Sequence, residues 1–194
     1  MHKAPTRHDK IGVASLNVGT LHGRAGEIAE TLSCRRGDVC CVQETGWRGG
    51  AVRMVKGRND KYKFLKKGCD SGTGCVEIVV AEKWVERVLE VRRVNARVTV
   101  LKLLFDKHIL TVVSTYAPQI GLSEENKDEF WDTLVHVVSG ISEREVVVIG
   151  GVLDGHVGRL AEGYEGLHSG SAFGVRNTEV EEYLSLGKLN KYIW

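Results

Sequence analysis

The sequence predicts an α/β fold, and three stretches carry that expectation. Residues 145–158 read Glu-Val-Val-Val-Ile-Gly-Gly-Val-Leu-Asp-Gly-His-Val-Gly. Val146 to Ile149 show no alternation, which fits a short strand buried on both faces. Gly150 and Gly151 are expected to break it, and the loop beyond carries Asp154 and His156. Second, residues 11–18, 24–36 and 38–44 read as strand, helix and strand, a crossover unit that favours parallel pairing. Third, residues 97–105 and 108–116 read as two strands joined by Asp106-Lys107, an antiparallel hairpin.

Length and composition agree with a single domain. The chain has 194 residues, 42% of them hydrophobic, enough for a sizeable core. Its net charge of +2 gives no general attraction to nucleic acid. The charges are uneven, however. Residues 53–67 hold seven cations (Arg53, Lys56, Arg58, Lys61, Lys63, Lys66, Lys67) against Asp60 alone, whereas residues 124–132 are acidic. Such a basic segment either faces phosphates or forms a solvated strand edge.

The five cysteines are odd in number, and Cys40 and Cys41 are adjacent in an apolar run. On a strand they would point to opposite faces, so a reducing intracellular compartment, nuclear or cytoplasmic, is expected. Cys69 and Cys75 flank a glycine-rich turn without a second Cys/His pair, so no zinc site is expected. No apolar run approaches the roughly 20 residues of a membrane span. Residues 1–9 are charged and lack an apolar core, which predicts a flexible N-terminus and no secretory signal.

Taken in order, each element has a local reason. In the 24–36 helix, Ala25, Ile28, Ala29 and Leu32 recur at i, i+3, i+4 and i+7, and Gly37 supplies a stop. Residues 62–65 and 75–81 are short strand candidates around the turn at Ser71-Gly72-Thr73-Gly74. Residues 84–94 fit an exposed strand, with a short helix as the alternative. Pro118 forbids extension of the 108–116 strand. Ser123 is placed to cap a helix whose first turn holds Glu124 and Glu125. Phe130, Leu134 and Val138, flanked by Trp131 and Val135, form its apolar stripe, and Gly140 ends it. A last short helix is expected over 177–188. No repeat or linker divides the chain.

Strands end in Asn17, Glu44, Tyr116 and, past the glycines, Asp154 and His156. Each alone is an ordinary cap or turn residue. Together they would bring a carboxylate suited to Mg²⁺, which keeps several waters, beside an amide and a phenol able to orient a phosphate.

The stretches Ser15-Leu-Asn-Val-Gly19, Val42-Gln-Glu-Thr45, Thr115-Tyr-Ala-Pro-Gln119 and Gly155-His-Val-Gly158 resemble the endonuclease/exonuclease/phosphatase superfamily. Asp38-Val-Cys-Cys-Val-Gln-Glu-Thr-Gly-Trp-Arg-Gly-Gly50, Ala81-Glu-Lys-Trp-Val85, Gly163-Tyr-Glu-Gly166 and Gly174-Val-Arg-Asn177 are similar to the apurinic/apyrimidinic-like endonuclease domain of RTE-type LINE retrotransposons. The resemblance spans about residues 10–185. It implies a four-layered α/β sandwich, two packed mixed sheets flanked by helices, over residues 10–194. It also implies Mg²⁺-dependent hydrolysis of DNA phosphodiesters. Glu44 and Asn17 would hold the metal and Tyr116 the scissile phosphate. Gln119, Arg176 and Asn177 would contact substrate, and Asp154 and His156 would join the catalytic group.

Two departures from the family pattern shape the functional expectation. The family's Gly-Asp-x-Asn motif is matched here by Gly151-Val152-Leu153-Asp154, so an aliphatic residue stands where the acid–base aspartate belongs. The family's closing Ser-Asp-His motif is not found, because no aspartate follows Asp154 and no histidine follows His168. The resemblance thus implies a C-terminally truncated, degenerate domain with little or no nuclease activity and an uncovered sheet open to self-association. The alternative is a non-catalytic module that binds nucleic acid or protein.

Overall fold

The computed structural model describes residues 10–46, 52–65, 75–119 and 122–153. Asp154, His156, Arg176, Asn177, the turn at 71–74, the 177–188 helix and the N-terminus lie outside the described residues.

Nine strands and three helices follow one another among the described residues: β1 (Val13–Asn17), α1 (Ala25–Arg35), β2 (Val39–Gln43), β3 (Arg53–Lys56), β4 (Lys61–Leu65), β5 (Glu77–Ala81), α2 (Glu82–Val85), β6 (Val88–Arg93), β7 (Val98–Phe105), β8 (His108–Tyr116), α3 (Glu124–Ser139) and β9 (Val146–Val152). They build two mixed sheets, ordered β1-β2-β5-β4-β3 and β6-β7-β8-β9. The α1 crossover makes β1 parallel to β2, and α3 does the same for β8 and β9. The 97–116 hairpin pairs antiparallel through eight residue pairs from Val98↔Thr115 to Phe105↔His108.

The sheets pack face to face. Val39, Cys41 and Ile78 of the first share one core with Leu101, Leu103, Leu110 and Val112 of the second. A second core lies on the outer side of β7–β9, where Val98, Val100, Val113, Val147 and Ile149 meet Phe130, Trp131, Leu134, Val137 and Val138 of α3. With α1 packed on the outer side of the first sheet, the order of layers is helix, sheet, sheet, helix, as expected. The unbroken aliphatic run of β9 is explained by this geometry. Val147 and Ile149 face α3, whereas Val146 and Val148 face the space between the sheets. There, Ile11, Val13, Phe105, Leu110, Val146 and Val148 line an apolar cavity of about 600 Å³ beside β1 and β9. Each of those two strands pairs on one side only among the described residues.

Several expectations need correction. The strand does not break at Gly150 and Gly151 but runs to Val152, paired with Ser114, Thr115 and Tyr116. Close approach is what requires glycine here. A Cβ on Gly151 would lie 2.0 Å from the Thr115 carbonyl oxygen, and one on Gly150 would lie 3.0 Å from Cys41 Sγ. β3 is an addition to the expected elements: three of its four residues are exposed, so the sequence carries no apolar pattern there. The 84–94 segment divides into α2, anchored by buried Trp84, and β6. On α3 it is Val137 that is buried, while Val135 is 41% exposed. The Ser123 hydroxyl accepts from Asn126 Nδ2 at 2.7 Å, and its carbonyl rather than its side chain receives the first helical amides. Arg36, not Gly37, takes the left-handed position after α1, with φ 57°. Cys34, Cys40 and Cys41 are free thiols, but Cys75 is disulfide-bonded. Among the described residues, no helix is long and apolar enough to cross a membrane.

Candidate active site

Parallel pairing within each sheet sends four strand ends to one side of the molecule. β1 ends at Asn17, level with Gln43 of β2, and β8 ends at Tyr116, level with Val152 of β9. Pro118 and the hydrogen bond from Ala117 N–H to the Val152 carbonyl (2.8 Å) turn the chain out of the second sheet at that point. The tips of the two sheets then meet across the gap. Tyr116 Oη donates to Glu44 Oε1 at 2.5 Å, and Asn17 Nδ2 donates to the same oxygen at 2.9 Å. Gln119 Nε2 donates to Tyr116 Oη at 3.1 Å, and Asn17 Oδ1 accepts from Gly19 N–H at 3.1 Å.

This cluster defines an electrostatic centre. The hydrogen bond from Tyr116, followed by that from Asn17, holds the Glu44 carboxyl below its usual range, against a smaller opposing effect of burial. Glu44 is therefore a carboxylate at neutral pH. Among the described residues both of these bonds fall on Oε1. Its backbone sits at φ 56°, a left-handed conformation that costs a side-chained residue about 1–2 kcal/mol. Arg36 and Asp106 take the same conformation at the end of α1 and in the β7–β8 turn.

Beneath the cluster lies a layer of buried polar groups. Gln43, fully buried, accepts from Ser15 Oγ at 3.3 Å, and its Nε2 finds no partner among the described residues. Burial pushes the Cys41 thiol up to about 12, so it is a packing residue. Arg97 was absent from the sequence-based candidates, yet its guanidinium lies against Tyr116 (Cζ 5.5 Å from the ring centroid). No motif flags it, because it stands at the far end of the hairpin, nineteen residues from its partner.

The structure thus brings Asn17, Glu44, Tyr116 and Gln119 together. Asp154, His156, Arg176 and Asn177 fall outside the described residues. No group of three or more His, Cys, Asp or Glu side chains arranged for a metal exists among the described residues. A single half-buried carboxylate with an amide beside it does fit Mg²⁺, which takes one or two protein carboxylates and keeps its waters.

The position next to this cluster on β9 is occupied differently. Val146, Val148 and Gly150 face the inter-sheet space, so Val152, two residues on, shares that side with Tyr116. An aliphatic side chain there neither accepts nor donates a proton.

No family model matches the sequence, and no curated protein matches it. Solved structures do match. The AP endonuclease LMAP from Leishmania major aligns at TM-score 0.61 and 14% identity, over 96% of this chain and 71% of that one. The endonuclease domain of TRAS1, a telomere-specific non-LTR retrotransposon, aligns at TM-score 0.55 and 14% identity, over 91% of this chain and 70% of that one. An endonuclease/exonuclease/phosphatase family protein from Leptotrichia buccalis C-1013-b aligns at TM-score 0.55 and 11% identity, over 92% and 73%. At these identities the likeness is one of fold. Two packed mixed sheets, their helices and these neighbours together establish that the chain adopts the endonuclease/exonuclease/phosphatase fold.

Proposed function

We propose that the chain is a retrotransposon-derived, endonuclease-like domain that holds Mg²⁺ and a DNA phosphate at its strand tips but hydrolyses phosphodiesters weakly or not at all. One observation carries the reading: the Asn17–Glu44–Tyr116 cluster stands beside an aliphatic Val152. Glu44 would hold the cation through its carboxylate, with Asn17 orienting that group and lending its carbonyl. The ion supplies positive charge against the phosphate when bound. Tyr116 and Gln119 would donate to the phosphate oxygens. Asp154 and His156 would complete the group, and Arg176 and Asn177 would touch DNA. What is missing is a proton acceptor at Val152, and general acid–base catalysis is worth about 10²–10⁴-fold. The retrotransposon origin is supported by the sequence of residues 38–50 and by the likeness to the TRAS1 endonuclease domain.

Incubation of the pure protein with abasic-site and supercoiled DNA in Mg²⁺ tests the reading. Cleavage near background is expected. Strong cleavage abolished in Glu44→Gln would show a working nuclease instead.

A second reading, a non-catalytic nucleic-acid module, is favoured by the β3–β4 hairpin. Arg53, Lys56, Arg58 and Lys61 are exposed there. The hairpin's turn lies at the end of the sheet where β2 begins, away from Glu44. Salt-sensitive DNA binding lost on charge reversal at Lys61 and Lys63, with the Glu44 cluster intact, would establish it. Self-association would use the apolar face between β1 and β9, and sedimentation would reveal it as a concentration-dependent dimer.

A further inference from the structure

We infer that Arg97 is a positioning residue that holds Tyr116 in place for its contact with Glu44. The turn between β6 and β7 fixes Arg97 first. Val94 and Asn95 N–H groups donate to the Val98 carbonyl at 3.0 and 3.3 Å, and Arg97 N–H donates to Asn95 Oδ1 at 2.9 Å. The Arg97 carbonyl then accepts from Tyr116 N–H at 3.0 Å, so the two backbones lie side by side at the last rung of the hairpin.

The side chain returns to the same residue from another direction. Nη1 donates to the carbonyls of Tyr116 (3.1 Å) and Ala117 (3.2 Å), and Cζ lies 5.5 Å from the Tyr116 ring centroid. One guanidinium therefore grips two consecutive carbonyls where the chain leaves β8 and also lies against the ring. A permanently charged group with several donors suits both tasks, and a cation within about 6 Å of a ring centroid is attracted to it. Backbone and ring of Tyr116 are fixed together, which leaves Oη 2.5 Å from Glu44 Oε1. The link to catalysis rests on the function proposed above, but the positioning itself is measurable without activity.

The test is ¹⁹F NMR of protein labelled with 3-fluorotyrosine, with the residue 116 signal assigned by its loss in Tyr116→Phe. Tyr62 serves as the control, being buried and bonded to the Gly37 carbonyl at 3.1 Å. In Arg97→Met the Tyr116 signal should broaden or move toward its position in urea, while the Tyr62 signal stays. Arg97→Lys, which keeps the cation and a donor, should bring it at least halfway back. Should Arg97→Met fail to melt cooperatively, Arg97→Gln takes its place with the same expectation. An unmoved Tyr116 signal, an equal change at Tyr62, or no recovery with lysine would each overturn the inference. If DNA cleavage is measurable, kcat should fall roughly 10–100-fold with KM unchanged. An inactive wild-type protein leaves the NMR outcome decisive.

Discussion

The tips of β2 and β9 stand at the same end of the molecule and differ in almost every respect. β2 runs into Glu44, a side-chained residue held at φ 56° whose carboxylate takes hydrogen bonds from both sheets. β9 runs through two glycines to Val152, aliphatic and level with Tyr116. Glycine would satisfy the left-handed turn at position 44 with no penalty. The glutamate there carries the carboxylate that joins the two sheets. At β9 the reverse holds, since Gly150 and Gly151 are demanded by packing and Val152 contributes no chemistry. The contrast separates a part of the site suited to binding from a part unsuited to proton transfer.

The largest expected effect comes from making the second tip resemble the first. Val152→Asp places a carboxylate level with Tyr116. It should raise Mg²⁺-dependent nicking of abasic-site DNA by about 10²–10⁴-fold over the parent. No gain would mean that the deficit lies elsewhere. Next in size is the packing at β9. Gly151→Ala should cost about 3 kcal/mol, because the new methyl meets a backbone carbonyl that cannot move aside, whereas Gly150→Ala should cost about 1 kcal/mol, because Cys41 Sγ can give way. Urea denaturation of the two variants gives the comparison, and equal costs would refute it.

Strain at Glu44 predicts a smaller difference. Glu44→Gly should be more stable than Glu44→Ala by about 1 kcal/mol, since only alanine retains the left-handed penalty. The hydrogen bond from Tyr116 gives the smallest effect. Tyr116→Phe should cost about 0.5–1 kcal/mol at neutral pH, the low end for a charged partner because Glu44 is partly in water. Its sign with pH follows from the lowered Glu44 pKa. The difference between Tyr116→Phe and the parent is fully present above the unfolded carboxyl value of about 4.3. It fades as pH falls through the lower folded value. Stability measured in urea at pH 7 and pH 3 checks it.

Much of this architecture was legible because its determinants are local. The 3.6-residue apolar spacing of α1 and α3 and the hairpin break at Asp106-Lys107 each gave an element within a residue or two of its observed bounds. Asn17, Glu44 and Tyr116 each stand where an apolar run ends, so the sequence marks them as strand ends. What the sequence hid is what depends on the neighbouring sheet. Gly150 and Gly151 read as a break because glycine usually is one, and only the approach of Thr115 and Cys41 reveals another reason. β3 carries three exposed residues of four, so it shows no apolar period and exists through pairing with β4. Val135 and Val137 differ by two positions on a helix, and the face that meets β7–β9 decides which is buried. Arg97 acts through a contact spanning the hairpin, which no local pattern encodes.

The central claim is that the Glu44 tip still binds a divalent cation although the Val152 tip lacks acid–base chemistry. Thermal unfolding of the parent and of Glu44→Gln, each with and without Mg²⁺, tests it most directly. The account predicts that Mg²⁺ at about one hundred times its Kd raises the parent's Tm by roughly 5–10 °C and leaves that of Glu44→Gln unmoved. A parent Tm indifferent to Mg²⁺, or an equal rise in both proteins, would contradict it.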